Sequence, residues 1–401
     1  MYSSFSEEIS NCSNQQKIQD AKIKHISIGK ELVDLSMINP DTTPARILID
    51  KLVEASVKSG SHRYSVSKGI KKLRNAFAEK YAKSFAVKLD PEKNICITMG
   101  TKDGLVNSLA VMANMSKAVL LPAPTYPAHL SAVELAGLKP VFYNICQPEK
   151  EILTEIDEKI KKNACKILIT NFPNNPTGLV VSEDFYKGLK TILADSGVVV
   201  INDFVYAEMS FDAKPQTSLL SIFQDYDLLL ETYSLSKAYS IPGWRIAAMM
   251  GNEKIIERLV RLKSHIDYGI FLPLQIAACS ALQSPAIAAE NSQKYKKRHK
   301  LLATSLKKLN WEVLDSDAGA ALWAKLPENY ITHFGSSMNF CLELLNSSGI
   351  LLTPGIVFGK EFDSHVRIAL VATEEKLYEV SKIISKFQND FELAIKNQNA
   401  A

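Results

Sequence analysis

Between Asn94 and Gly251 seven short runs of apolar and β-branched residues alternate with longer amphipathic stretches. The runs are Ile95–Thr98, Val119–Leu121, Val141–Tyr143, Lys166–Ile169, Val198–Ile201, Leu228–Leu230 and Ile246–Ala248. Strands that are apolar almost throughout have both faces buried, which predicts an α/β architecture with a mostly parallel seven-stranded sheet between layers of helix. The segments Leu105–Met115, Glu151–Lys162 and Glu183–Leu193 supply such helices, and Ile152, Ile156 and Ile160 recur at helical spacing in the second of them. A sheet of this kind binds ligands where its strands end, so the residues after each run are where chemistry is expected.

After Ser284 the pattern changes. A long charged helix from about Ala286 to Leu309 leads into short strands at Trp311–Leu314, Ala321–Leu326, Ile350–Thr353 and Val366–Val371, mixed with two helices. This reads as a smaller α+β domain, and the first 55 residues, polar and irregular at their start, are expected to join it. The division is therefore residues 1–55 as an N-terminal arm and part of the small domain, 56–290 as the large domain and 291–401 as the small one. A chain of 401 residues is long enough for that arrangement.

Charge and cysteine use narrow the function classes. A net charge of +4 is too mild to argue for nucleic acid. The basic cluster Lys294–Lys300 reads as the solvated face of the long helix. The six cysteines, Cys12, Cys96, Cys146, Cys165, Cys279 and Cys341, show no metal-ligand spacing and read as reduced, mostly buried thiols, with no metal expected. Phe271–Leu282 falls short of the roughly 18 apolar residues of a membrane span and reads as a buried helix. The start Met1–Glu8 has neither a basic nor an apolar signal region, so a cytoplasmic location is expected.

Chemistry gathers at five places. Ser234-Leu235-Ser236-Lys237 is followed by Gly243-Trp244-Arg245, setting a lysine among hydroxyls with an arginine eight residues on. Neighbouring cations or partial desolvation lower a lysine's pKa and make it a nucleophile toward an aldehyde, of which pyridoxal 5'-phosphate (PLP) is the common biological example. Asn171–Gly178 holds two prolines and a glycine in a turn that presents an asparagine amide. Asp203 ends a strand where a carboxylate can keep a pyridine nitrogen protonated, and Tyr206 can reach the ring's oxygen. Gly100-Thr101-Lys102-Asp103-Gly104 enters a helix whose N-terminal amides favour phosphate. Tyr126 lies where its ring can stack on a flat cofactor. Read singly, each has an ordinary alternative: a solvated loop, a turn, a structural carboxylate, a packed tyrosine.

Together and in this order, the motifs resemble those of fold-type I, PLP-dependent class I/II aminotransferases over essentially the whole chain, and most of all the bacterial alanine transaminases. His62-Arg63-Tyr64-Ser65, Gly69, Leu73-Arg74, Tyr126-Pro127, Asn175-Pro176-Thr177-Gly178 and Val366-Arg367 belong to the same resemblance. It implies that Lys237 bonds the cofactor's aldehyde, that Asp203, buttressed by His129, pairs with the pyridinium nitrogen, and that Asn175 and Tyr206 hold the ring oxygen. It further implies a phosphate site made of Thr101, Lys102, Ser234, Ser236 and Arg245. Tyr64 would come from a second subunit, so a homodimer with shared active sites is expected. Tyr126 would stack on the ring, and Arg367 would grip the substrate carboxylate through two parallel hydrogen bonds.

The implied reaction is ping-pong transfer of an amino group between an α-amino acid and a 2-oxo acid, with alanine/glutamate and pyruvate/2-oxoglutarate as the expected pairs. The family usually has glycine where this chain has Ile38, which narrows the pocket, and Tyr268 falls where relatives line the side-chain pocket. No second arginine stands out for a side-chain carboxylate. Methionine, branched-chain, aromatic, aspartate or LL-diaminopimelate transamination remains open, as does a PLP-dependent C–S lyase. A regulatory PLP-binding protein is the non-enzymatic alternative, and the filled set of catalytic positions argues against it.

Overall fold

The computed structural model describes residues 10–212, 215–223 and 228–399, with the side chains of 10–13 and 396–399 left out. Met1–Glu8 and the Cys12 side chain lie outside the described residues. Strand β1 (Val33–Asp34) comes first. It is followed by β2 (Ile95–Met99), β3 (Ala118–Ala123), β4 (Lys139–Asn144), β5 (Ile167–Thr170), β6 (Val199–Asp203), β7 (Leu229–Ser234) and β8 (Ile246–Gly251), which form one seven-stranded sheet ordered β2-β8-β7-β6-β5-β3-β4. All seven expected strands are there. Six run parallel, and β8 alone is antiparallel to both of its neighbours.

Alternate residues of the same strand feed two different cores. Val119, Leu121, Ile167, Ile169, Val199 and Ile201 pack on one face with Leu105, Leu109, Leu130, Val133 and Leu259. Leu120, Leu168 and Val200 point the other way, toward Phe77, Tyr81, Ile152, Ile156, Phe185 and Leu189. Burying each such side chain is worth about 1.5–3 kcal/mol. Helices Thr101–Met112, Glu149–Asn163 and Glu183–Leu193 cover the sheet, close to the expected bounds. Leu272–Leu282 is the expected buried helix, and among the described residues no single helix is long and apolar enough to cross a membrane.

The remaining strands are β9 (Glu312–Val313), β10 (Ala321–Lys325), β11 (Ile350–Leu351), β12 (Thr353–Pro354) and β13 (His365–Ala369). Four of them make an antiparallel sheet ordered β12-β13-β10-β9, while β11 pairs in parallel with β1. This pairing sets Val33 and Asp34 beside Ile350 and Leu351. Helices Glu328–Phe334, Ser337–Ser348 and Glu374–Asn399 complete this second unit, one more than expected. Helix Ser337–Ser348 ends at Gly349, whose positive φ of 73° turns the chain into β11; a Cβ there would strike the Glu31 carbonyl.

Two expectations are corrected. The described part of the polar start is not irregular, because Ser10–Ser27 is a helix. Its sequence has little apolar periodicity, and tertiary contacts hold it: Ile18 packs with Trp323, Met338, Leu351 and Phe358, and Lys22 pairs with Asp34 at 2.6 Å. The basic cluster is only partly a solvated face. Lys296, Lys297 and Lys300 are exposed, whereas Arg298 is buried and pairs with both oxygens of Asp41 at 2.7 and 2.9 Å while donating to the Leu370 carbonyl. Of the five described cysteines, all free, only Cys146 is exposed.

Behind the sheet edge that carries the site, the carboxylate of Glu208 accepts hydrogen bonds from Lys80, Tyr233 and Tyr239, the last at 3.1 Å. Lys80 and Glu208 are both buried. The cluster ties β7 and the segment that follows it to the turn after β6. Lys80→Met leaves the Glu208 carboxylate without its cation and is expected to lower unfolding stability by about 3–5 kcal/mol. Urea titration should show a lower midpoint at unchanged slope, and an unshifted midpoint would refute the cluster's role.

Candidate active site

A cavity of about 520 Å³ opens at the carboxyl edge of the parallel strands. β2 ends at Thr101 and Lys102, β3 at Tyr126, β5 at Asn171 and Asn175, β6 at Asp203 and Tyr206, and β7 at Ser234, Ser236 and Lys237; all of these line the cavity. Because β8 runs backward, its amino end lies on the same edge, and Arg245 just before it joins them. β12, β13 and the Ser36–Asn39 segment close the other side with Thr353, Arg367 and Ile38.

The cavity is strongly cationic. Lys102, Lys237, Arg245 and Arg367 face it, against one carboxylate among the described lining residues, Asp203. Asp203 is itself held: its Oδ2 meets His129 Nε2 at 2.7 Å in full burial, and its Oδ1 accepts from the Val205 amide. Burial, and then the charges of Arg367, Arg245 and Lys102, bring the Lys237 amine down to about 8. Burial pushes the phenols of Tyr126 and Tyr206 upward, keeping both protonated and able to donate.

One end of the cavity is a cradle for an anion. Gly100 caps helix Thr101–Met112 at φ 76°, and a Cβ there would collide with the Arg245 guanidinium, so glycine allows the arginine to lie against the helix N-terminus. Ser234 Oγ and Ser236 Oγ are 3.0 Å apart on the same edge. At the other end Arg367 donates to Asn175 Oδ1 at 3.1 Å, Thr353 Oγ1 at 3.1 Å and the Ser36 carbonyl at 2.5 Å, with the Phe358 ring 5.1 Å from its guanidinium carbon. Its Nε is buried and has no protein partner among the described residues. The cavity therefore fits an aldehyde carrying a phosphate at one end and a carboxylate-bearing molecule at the other: helix amides, hydroxyls and two cations for the first, a planar guanidinium for the second, and a reactive amine between them.

The structure brings together Thr101, Lys102, Tyr126, Asn175, Asp203, Tyr206, Ser234, Ser236, Lys237, Arg245, Arg367 and Ile38. Ile38 is there with its side chain buried and its carbonyl accepting from Lys237 Nζ. Tyr64 and Tyr268 are not in this cavity. Their rings pack on each other on the exterior, 4.6 Å apart, and Tyr64 is 85% exposed. Sequence reasoning missed Ser36, Thr353 and Phe358, and it missed Gln15, Ile18 and Gln19 of the N-terminal helix. Thr353 reaches the site because it is the cross-strand partner of Arg367, a register that no local motif announces.

Residues 30–384 match the family described as aminotransferase class I and II. The chain is 32% identical to the glutamate-pyruvate aminotransferase AlaC of Escherichia coli, over 87% of this chain and 85% of that protein. It is also 32% identical to an LL-diaminopimelate aminotransferase of Dehalococcoides mccartyi, over 93% and 94%. The apo structure of BacF from Bacillus subtilis superposes with a TM-score of 0.86 at 30% identity, covering 93% of this chain and 95% of that one.

The lowered basicity of Lys237 sets a pH dependence. Only the unprotonated amine attacks an aldehyde, so uptake of pyridoxal by cofactor-free protein is expected to accelerate through about pH 8 and level off above it. An acceleration that continued toward the ordinary 10.5 would show that burial and the three cations do not act on this amine.

Proposed function

The chain belongs to the aminotransferase class I and II family, and on that premise we propose that it moves an amino group between alanine and 2-oxoglutarate, giving pyruvate and glutamate. It is a PLP-dependent enzyme of fold type I. The observation that carries the amino-group transfer is the convergence of Lys237, Asp203 and Arg367 on one cavity.

When bound, PLP supplies an aldehyde that takes the amino group and a ring that accepts electron density from the substrate Cα. Thr101, Lys102, Ser234, Ser236 and Arg245 would hold its phosphate, Asp203 its ring nitrogen, and Asn175 and Tyr206 its ring oxygen, with Tyr126 covering the ring. The His129 contact keeps Asp203 oriented, and no other carboxylate among the described lining residues competes with it for the cofactor. Arg367 anchors the substrate's α-carboxylate, exchanging the Ser36 carbonyl for it, and so aims Cα at Lys237. The Lys237 amine, with its basicity lowered to about 8, would take the proton from the substrate Cα and return it to the carbon of the cofactor's aldehyde group.

Alanine is supported by the Escherichia coli relative and by the lack, among the described lining residues, of a cation beyond those the cofactor and α-carboxylate use. A second reading takes LL-diaminopimelate as the amino donor, favoured by the Dehalococcoides relative at the same identity. The homodimer is supported by the exterior pairing of two segments: Tyr64 and Val66 lie beside Tyr268 and Phe271, all four exposed, with the Ser67 hydroxyl bonded to the Asp267 carbonyl. Tyr64, exposed and outside its own chain's cavity, is the residue proposed to reach the phosphate cradle of that second copy.

Adding L-alanine to the PLP-loaded enzyme without an acceptor is expected to bleach the cofactor's visible band. A band that bleaches with LL-diaminopimelate and not with alanine would move the reading to the second donor. Lys237→Ala should reduce turnover by about 10²–10⁴-fold or more. Arg367→Lys keeps the charge and loses the planar fork, and should raise the KM for alanine about 10–100-fold. Tyr64→Phe is expected to weaken PLP retention in a protein that sediments as a dimer, and a fully active monomer would contradict the shared site.

A further inference from the structure

The helix Ser10–Ser27 gives the cavity a wall separate from the residues assigned to the cofactor and the α-carboxylate. Gln15, Ile18 and Gln19 all line it. Residues four apart share a helix face, so the two amides stand one turn from each other with Ile18 beside them. Ile18 is buried against Val357 and Phe358, and the Phe358 ring is the one that packs on Arg367. The wall therefore lies next to the end of the cavity where a substrate is anchored, and away from the phosphate cradle.

Its position is fixed by a relay of contacts. Lys22, on the same helix, pairs with Asp34 at 2.6 Å. Asp34 Oδ1 accepts from the Ser36 amide at 2.9 Å and from the Ser36 hydroxyl at 2.6 Å, and the Ser36 carbonyl in turn accepts from Arg367. A substrate whose α-carboxylate sits on Arg367 thus meets a wall registered against that same arginine.

The four lining cations are committed to the cofactor, its attachment and the α-carboxylate. A substrate that carries a second polar group at its far end must find that group a neutral partner, because leaving a buried carbonyl or carboxylate oxygen unpaired is costly. Two side-chain amides, each with two N–H donors, meet that need without a second cation. We propose that Gln15 and Gln19 receive the distal carbonyl oxygens of the longer of the two substrates, whether these belong to a carboxylate or a carboxamide, and so set a preference for amino acids with such an end over apolar ones of equal length. The inference rests on Arg367 anchoring the α-carboxylate.

The test uses ligands that bind without turnover. Calorimetric titration of the PLP-loaded enzyme with pentanoate, glutarate and 4-carbamoylbutanoate compares an apolar end with a carboxylate and a carboxamide end on the same chain. Wild type is expected to bind one or both of the polar-ended ligands about tenfold more tightly than pentanoate. Gln15→Met/Gln19→Met, which keeps bulk and helix propensity, should lose that preference while binding pentanoate unchanged. Tighter glutarate identifies dicarboxylic amino acids as the class, and tighter carbamoylbutanoate identifies amide ones. Absence of any preference in wild type, its survival in the double variant, or an equal loss for all three ligands would overturn the assignment. The alanine reading is judged separately, by bleaching of the visible band with L-alanine, so either can fail alone.

Discussion

Four cations facing one buried carboxylate is the constraint around which the molecule is arranged. In water such a grouping would repel itself weakly; at the rim of a buried sheet, with few counter-charges, repulsion is felt directly as a lowered pKa on the most crowded amine, Lys237. Such a grouping suits anionic ligands. On the proposed reading a phosphate at the helix N-terminus and a carboxylate at Arg367 would supply the opposing charge, which would couple cofactor and substrate binding to stability as well as to chemistry.

The fold serves this arrangement by bringing strand ends to one edge. Six parallel strands deliver their carboxyl ends there, and the reversed β8 contributes its amino end, which is how Arg245 comes to face Thr101 and Lys102 across Gly100. The second unit adds Arg367 and Thr353 on paired antiparallel strands. Behind the edge, His129 holds Asp203, and Glu208 with Lys80 and two tyrosines holds the backbone on either side of Lys237. These inner contacts are buried, so the cavity-lining groups rest on packed structure and not on mobile loops.

Much of this was legible in the sequence, for identifiable reasons. The seven strands were visible because both faces of the sheet are buried, so each strand is apolar throughout, and the order of motifs after them pointed to the site that the structure assembles. The N-terminal helix was not legible: its stability comes from Ile18 and Lys22 finding partners far along the chain, at Phe358 and at Asp34, and a polar segment shows none of that in its own periodicity. Nor was the environment of Arg367 legible, since Ser36, Thr353 and Phe358 approach it through strand register and chain crossing. Arg298 misled in the opposite direction, because a basic run on a helix gave no sign that one member is turned inward to meet Asp41.

Lys237, among the cations of this cavity, is the amine proposed to bond the cofactor. That bond is tested most directly by reducing the PLP-loaded protein with borohydride, digesting it and locating the modified lysine by mass spectrometry. Stoichiometric modification of the peptide bearing Lys237 is the expected result. Modification of Lys102, or of lysines scattered over the surface with Lys237 untouched, would contradict it.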